Sequence, residues 1–295
     1  MIKIWFWMFE VSSMRFKKAV GIVRLIRVKN CLLMGLAVIV GYLIASRGSL
    51  EHGVAAAGFF AAFTLTAATM ALNDYRDVKI DEVNEPLRPI PSGVVSPREA
   101  LTATFLLAST GIALAAFINI FSLLIAVLAL LLMVYYNLWG KRTGFPGNIA
   151  VSACVAVPFI FGGAMNGRIT GLIAIFSSMA FTSNLGREVI KGIADVEGDK
   201  MADVKTLPIL LGARRSAAIA STFILTSVGL SIVPLLTKAV STIYLLFISA
   251  ADAGFIWSAY HIVRKPNSSE AKIVKNQILI WMLLGLLGFL TGSAC

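Results

Sequence analysis

Apolar residues along this chain fall into nine runs, near residues 31–46, 53–72, 99–118, 120–139, 146–165, 169–186, 216–236, 240–262 and 276–294. Each approaches the ~20 residues that an α-helix needs to cross a bilayer. The longest uncharged stretch makes the case most clearly. Between Ala100 and Gly140 there is no Asp, Glu, Lys or Arg. At ~1.5 Å per residue that stretch would measure roughly 60 Å as one helix, about twice a bilayer core. It must fold back, and the polar pair Asn119 and Ser122 marks the turn. The pattern predicts an all-α, polytopic membrane protein with nine transmembrane helices in a single domain over 1–295. Residues 12–29 read instead as a basic amphipathic helix on the membrane surface, within a basic arm over 1–29. The opening MIKIWFWMFE is apolar but too short and poorly flanked for a signal peptide.

Composition sharpens this picture. The chain is 58% hydrophobic and only 14% charged, against about 25% charged in a soluble domain. A net charge of +11 raises the question of nucleic acid, but the positions of the charges answer it. Of the 26 Lys and Arg residues, 23 lie in the N-terminal arm and in alternate connections; only Arg47, Arg168 and Lys238 fall on the opposite side. The positive-inside rule then puts the N-terminus and the charged loops in the cytoplasm and the C-terminus outside. The partner this implies is a lipid bilayer; neither nucleic acid nor an obligate protein partner is expected. Cys31, Cys154 and Cys295 are scattered in apolar context and give neither a disulfide framework nor metal spacing.

The acids are where chemistry enters. Eleven of the 15 Asp and Glu residues sit in two stretches on the predicted cytoplasmic side, 73–99 and 187–203. Like charges gathered at a membrane boundary repel one another, and a bound cation is the simplest reason to keep them there. Asn73, Asp77 and Asp81 are spaced by four, as are Asp195, Asp199 and Asp203. Residues four apart share one face of a helix, so each triplet predicts a ladder of oxygen ligands continuing a transmembrane helix. Hard oxygen ligands suit Mg2+, which takes one or two carboxylates and completes its shell with water and phosphate oxygens. Two ladders facing one cavity would hold two metal ions across a diphosphate. Asp77 to Asp195 and Asp81 to Asp199 are both 118 residues apart. That period predicts a parallel four-helix repeat, with halves near 30–145 and 146–263, plus a ninth helix. Pro86, Pro89 and Pro91 should end the first ladder by about Glu85.

At these residues the sequence resembles the UbiA superfamily of intramembrane prenyltransferases. The matching text is NDYRDVKIDEVNEPLRPIPSG at 73–93, REVIKGIADVEGDKMADVKTLP at 187–208 and YYNLWGKRTGFPGN at 135–148. The resemblance implies nine helices around a central cavity, and Mg2+-dependent transfer of an isoprenyl group from its diphosphate to a lipophilic acceptor. It makes Asn73, Asp77, Asp81, Asp195 and Asp199 the metal–diphosphate motifs. Asp203 is either a further ligand or a stabiliser of its loop, and Asp74 points away from Asn73. Arg88 is the first expected diphosphate clamp, followed by Lys141, Arg142, Lys191 and Lys205, although each also serves topology. Tyr135, Tyr136 and Asn137 either face an allylic cation or belong to an interfacial aromatic belt.

Within the family, the REVIKGIADVEGDK text and RVKNCLLMG at 27–35 are most similar to the archaeal branch, which alkylates the hydroxyl of a prenylglyceryl phosphate. The reading is therefore geranylgeranyl transfer from geranylgeranyl diphosphate to geranylgeranylglyceryl phosphate, with Arg27 and Asn30 on the acceptor. An aromatic acceptor, a quinone or chlorophyll-type precursor, is the alternative. A cation-coupled transporter is the competing class, but transporters place their binding groups near the bilayer midplane. Here only Asp252 lies deep in a predicted span. It is expected to pack against a neighbouring polar group.

Overall fold

The computed structural model describes residues 17–201 and 203–293, and among them there is no β-strand. Nine long helices carry the described residues: α1 (Val28–Ser46), α2 (His52–Arg76), α3 (Pro97–Ile118), α4 (Ile120–Leu138), α5 (Phe145–Met165), α6 (Gly171–Ala194), α7 (Ala213–Ser231), α8 (Thr242–Arg264) and α9 (Ser268–Ser293). Eight of them, all but α6, are long and apolar enough to cross a membrane. Helix α6 fails that criterion because its last turns carry Asn184, Arg187, Glu188 and Lys191, which face a central cavity and not lipid. For the same reason the apolar run at 169–186 underestimates it: the helix continues to Ala194.

The turns form where local chemistry dictates. Asn119 separates α3 from α4; its Oδ1 accepts from the Ser122 amide at 2.8 Å, and its Nδ2 donates to the Ala164 and Met165 carbonyls at 3.1 and 3.0 Å. Ser96 and Glu99 form a reciprocal capping box at the start of α3. The run predicted at 216–236 breaks at Ile232, and a short helix, Val233–Leu236, follows with Pro234 in its first turn. Of the predicted surface helix at 12–29, residues 12–16 lie outside the described residues, and residues 17–25 are helical. That helix buries Leu25 against Ala71, Ile90, Val95 and Ala100, so it docks on the loop after α2.

Each helix packs on the next in sequence, and α9 returns to α1 to close a ring. Non-neighbouring helices also pack, α1 with α5 and α6 with α9 the most extensively. The α1–α5 crossing depends on missing side chains: a Cβ on Gly41 would sit 2.1 Å from the Phe159 carbonyl oxygen, and one on Gly162 would sit 2.2 Å from that of Val38. Small residues allow such backbone approach in a bilayer, where apolar tails provide no hydrophobic drive between helices. The outer faces of α3 and α4 present Phe105, Phe117 and Leu128, all strongly exposed, as a lipid-facing surface requires. The arrangement is that of a multi-pass membrane protein.

Candidate active site

The two predicted ladders form, each with a break in the middle. Helix α2 ends at Arg76, Asp77 caps it with non-helical dihedrals, and a short helix, Val78–Asn84, follows. Spacing by four survives in the backbone: the Asp77 amide donates to the Asn73 carbonyl at 3.0 Å, and that of Asp81 to the Asp77 carbonyl at 2.8 Å. The prolines end this segment at Glu85, as expected. Helix α6 repeats the pattern. Asp195 caps it, Val196–Met201 forms a short helix, and the Asp199 amide donates to the Asp195 carbonyl at 3.0 Å.

Both ladders line one cavity of about 1370 Å³, larger than the ~300–1,000 Å³ of an ordinary small-molecule pocket. Its charged end gathers Asn73, Asp77, Asp81, Arg88, Lys141, Arg142, Lys191, Asp195 and Asp199, together with Arg27, Asn30, Tyr136 and Asn137. Its walls then turn apolar, with Leu33, Met34, Leu130, Met133, Phe161 and Leu279 among them. Three predicted site residues are not brought to the cavity. Tyr135 faces outward and packs on Trp139, as an interfacial aromatic would. Lys205 is exposed. Asp203 is also exposed, in a left-handed conformation (φ 52°) past the end of the short helix, so the third rung of the second ladder has turned away.

Most of the acids here are held by cations. Lys141 pairs with Asp77, Arg88 Nη1 with Asp81 at 2.6 Å and Lys275 with Asp195 at 3.2 Å. Asp74, buried behind the first ladder, takes Arg27 at 2.6 Å and Arg88 at 3.6 Å. It therefore serves as a structural clamp, and the Arg27 guanidinium is committed to it. Burial pushes the Asp81 carboxyl above the usual range, with Arg88 opposing. Burial and the adjacent Asp195 push that of Asp199 up to about 6.

Glu188, Lys272, Lys275 and Asn276 are given no role by the sequence motifs above, yet all four line the cavity. Glu188 is buried and bound by Arg187 at 2.8 Å and Lys191 at 3.1 Å. The signal was available: Asn184, Glu188, Lys191 and Asp195 recur every three or four residues along one face of α6.

The donor set fits Mg2+. Among the described residues no three Asp, Glu, His or Cys side chains converge into a ready-made cage. The acids are instead split between two ladders, which suits an ion that takes one or two carboxylates and completes its octahedron with phosphate oxygens and water. The cavity also contains a buried oxygen, Asn137 Oδ1, with no hydrogen-bond partner among the described residues.

The loop that supplies Lys141 is shaped by Gly144 (φ 70°), where a Cβ would lie 2.0 Å from the Lys205 carbonyl oxygen. This contact seats the 140–144 turn on the segment following the second ladder. It brings Lys141 across to the first.

Comparison with known proteins agrees with this architecture. The digeranylgeranylglyceryl phosphate synthase of Korarchaeum cryptofilum is 40% identical over 221 residues, 75% of this chain and 79% of that protein. A solved structure of a digeranylgeranylglyceryl phosphate synthase in membranes superposes with a TM-score of 0.77 at 33% identity, covering 94% of this chain and 99% of the other. A UbiA homologue from Archaeoglobus fulgidus, solved with DMAPP and Mg2+, shares the fold with a TM-score of 0.71 at 21% identity, over 93% and 100% of the two chains. The profile of the UbiA prenyltransferase family matches residues 34–290, and the chain belongs to that family.

Proposed function

We propose that this protein transfers a geranylgeranyl group from geranylgeranyl diphosphate to the hydroxyl of geranylgeranylglyceryl phosphate, using Mg2+. The observation that carries the reading is the pair of acid ladders, from α2 and α6, facing one cavity whose walls turn apolar away from them. The 40% identity to a digeranylgeranylglyceryl phosphate synthase, whose name gives the compound formed when that acceptor gains a second geranylgeranyl group, supports the choice of acceptor.

Asn73, Asp77 and Asp81 on one side, and Asp195 and Asp199 on the other, are the residues that would hold Mg2+ beside the diphosphate. Bound there, Mg2+ supplies positive charge that offsets the negative charge building on the leaving group. Arg88, Lys141, Arg142 and Lys191 add preorganised donors to the same end. The allylic C–O bond breaks, the glycerol hydroxyl oxygen bonds to the freed carbon, and diphosphate and a proton leave. Tyr136 and Asn137 line the cavity where the allylic cation develops, and the apolar walls limit its capture by water. The ladders and the N-terminal arm face the cytoplasm, with 23 of 26 basic residues on that side supporting the orientation. The halves near 30–145 and 146–263 are copies of one unit, a reading supported by the matching helix, Asp cap and short helix after α2 and α6.

The test is pyrophosphate release from labelled geranylgeranyl diphosphate by purified protein with acceptor present. Release that depends on Mg2+ and stops in EDTA is expected. Release unaffected by EDTA would contradict the metal assignment.

A further inference from the structure

We infer that the first turns of α9 are the seat of the acceptor's phosphate, an inference that rests on the function proposed above. Lys272, Lys275 and Asn276 line the cavity, and Leu279 and Met282 line it further along the same helix. Steps of three, one, three and three place all five on one face. The stripe therefore runs from cationic to apolar, as an amphiphile with an anionic head and a prenyl tail requires. Helix α1 packs beside α9 and offers the cavity Leu33 and Met34, which extend the apolar end.

The charges divide the cavity into two anion sites. Arg88 and Lys141 sit on Asp81 and Asp77 of the first ladder, and belong with the diphosphate. Lys272 is different: among the described residues it has no carboxylate partner. Lys275 has one, Asp195, which a metal ion would draw away, leaving the ammonium for another anion. A phosphate monoester carries about −1.5 to −2 charge near neutral pH, so two ammonium groups and an amide donor match it.

Position supports the assignment. Ser268 Oγ donates to the Ala194 carbonyl at 2.7 Å, and Arg187 Nε donates to the Lys275 carbonyl at 3.2 Å. With the Lys275–Asp195 pair, these bonds fix the start of α9 to the base of the second ladder. A phosphate held there lies beside the metal site without occupying it, and the acceptor's hydroxyl is held near the diphosphate-bearing carbon.

Equilibrium binding to the full chain in detergent, with Mg2+ present and donor absent, tests this directly. The probes are geranylgeranylglyceryl phosphate and its phosphate-free alcohol. Wild type should prefer the phosphate form, and Lys272→Glu should weaken that form by about tenfold or more while leaving the alcohol unchanged. Lys272→Arg should keep the affinity. In turnover, Lys272→Glu should raise KM for the acceptor and leave KM for the donor alone. Lys272 is exposed, so its substitution does not disturb packing, and monodisperse elution checks the fold. If Lys272→Glu and Lys275→Gln both bind the phosphate form as wild type does, the placement is overturned. If wild type ignores geranylgeranylglyceryl phosphate altogether, the proposed function falls and the placement with it.

Discussion

Lys141, Arg88 and Lys275 each sit on an aspartate that the proposed chemistry assigns to metal. The protein thereby neutralises its own ladders, and removing one partner would leave the other charge unpaired in a partly buried site. Asp77→Ala and Asp199→Ala are expected to lower kcat/KM by about 10²-fold or more, while each protein still elutes as a monodisperse particle. Steady-state kinetics with matched elution profiles check this. Asp199 also makes the site pH-sensitive. Its carboxyl is pushed up to about 6; in the proposed function the carboxylate would take Mg2+, so binding below that pH would expel a proton. Mg2+ affinity should be flat above pH ~7 and should fall towards tenfold per unit below pH ~6. Mg2+ titrations across that range test this, and Asp199→Asn should remove the pH-dependent part. Asp252 is a contrasting case: its Oδ2 accepts from Ser231 Oγ at 2.6 Å, outside the cavity lining. Asp252→Asn should leave transfer rates unchanged, against the default that an acid deep in a membrane is functional.

At the scale of elements, function depends on where helices stop. Both ladders break at an aspartate cap, which places the next acid on a short helix that lines the cavity. The spacing by four was legible in the sequence because backbone bonds keep it through the break. The break itself was not, since Arg76 and Ala194 carry no stop signal. Extending the period to Asp203 failed because the short helix ends at Met201 and the chain enters a left-handed turn. The end of α6 was misplaced because hydropathy reports lipid contact, and its last turns face the site. Lys275 escaped notice because a lysine near a membrane boundary looks like any topology charge until its partner, Asp195, is known. The 140–144 turn is the element most exposed to a single substitution. Gly144→Ala would drive a methyl group into the Lys205 carbonyl in a backbone conformation that disfavours side chains. It should lower both the unfolding temperature in detergent and the turnover rate, through displacement of Lys141.

For the whole molecule, the nine long helices of the described residues pack in a ring around a cavity of about 1370 Å³, charged at one end and apolar beyond. The alternation of apolar runs and basic connections anticipated the helices, because both follow from the bilayer as solvent. The shape of the cavity depends on contacts such as the α1–α5 crossing at Gly41 and Gly162, and no local pattern reveals those. Orientation is testable in the same frame. In a background lacking Cys31, Cys154 and Cys295, a cysteine at Lys238 should label from outside intact cells and one at Arg215 should not.

The most direct measurement is a competition between two acceptors. Purified protein receives geranylgeranyl diphosphate, Mg2+, geranylgeranylglyceryl phosphate and 4-hydroxybenzoate together, with an EDTA control, and products are identified by mass. One product is expected, the glyceryl phosphate carrying a second geranylgeranyl ether, absent in EDTA. Prenylated 4-hydroxybenzoate as the only product would contradict the proposed acceptor.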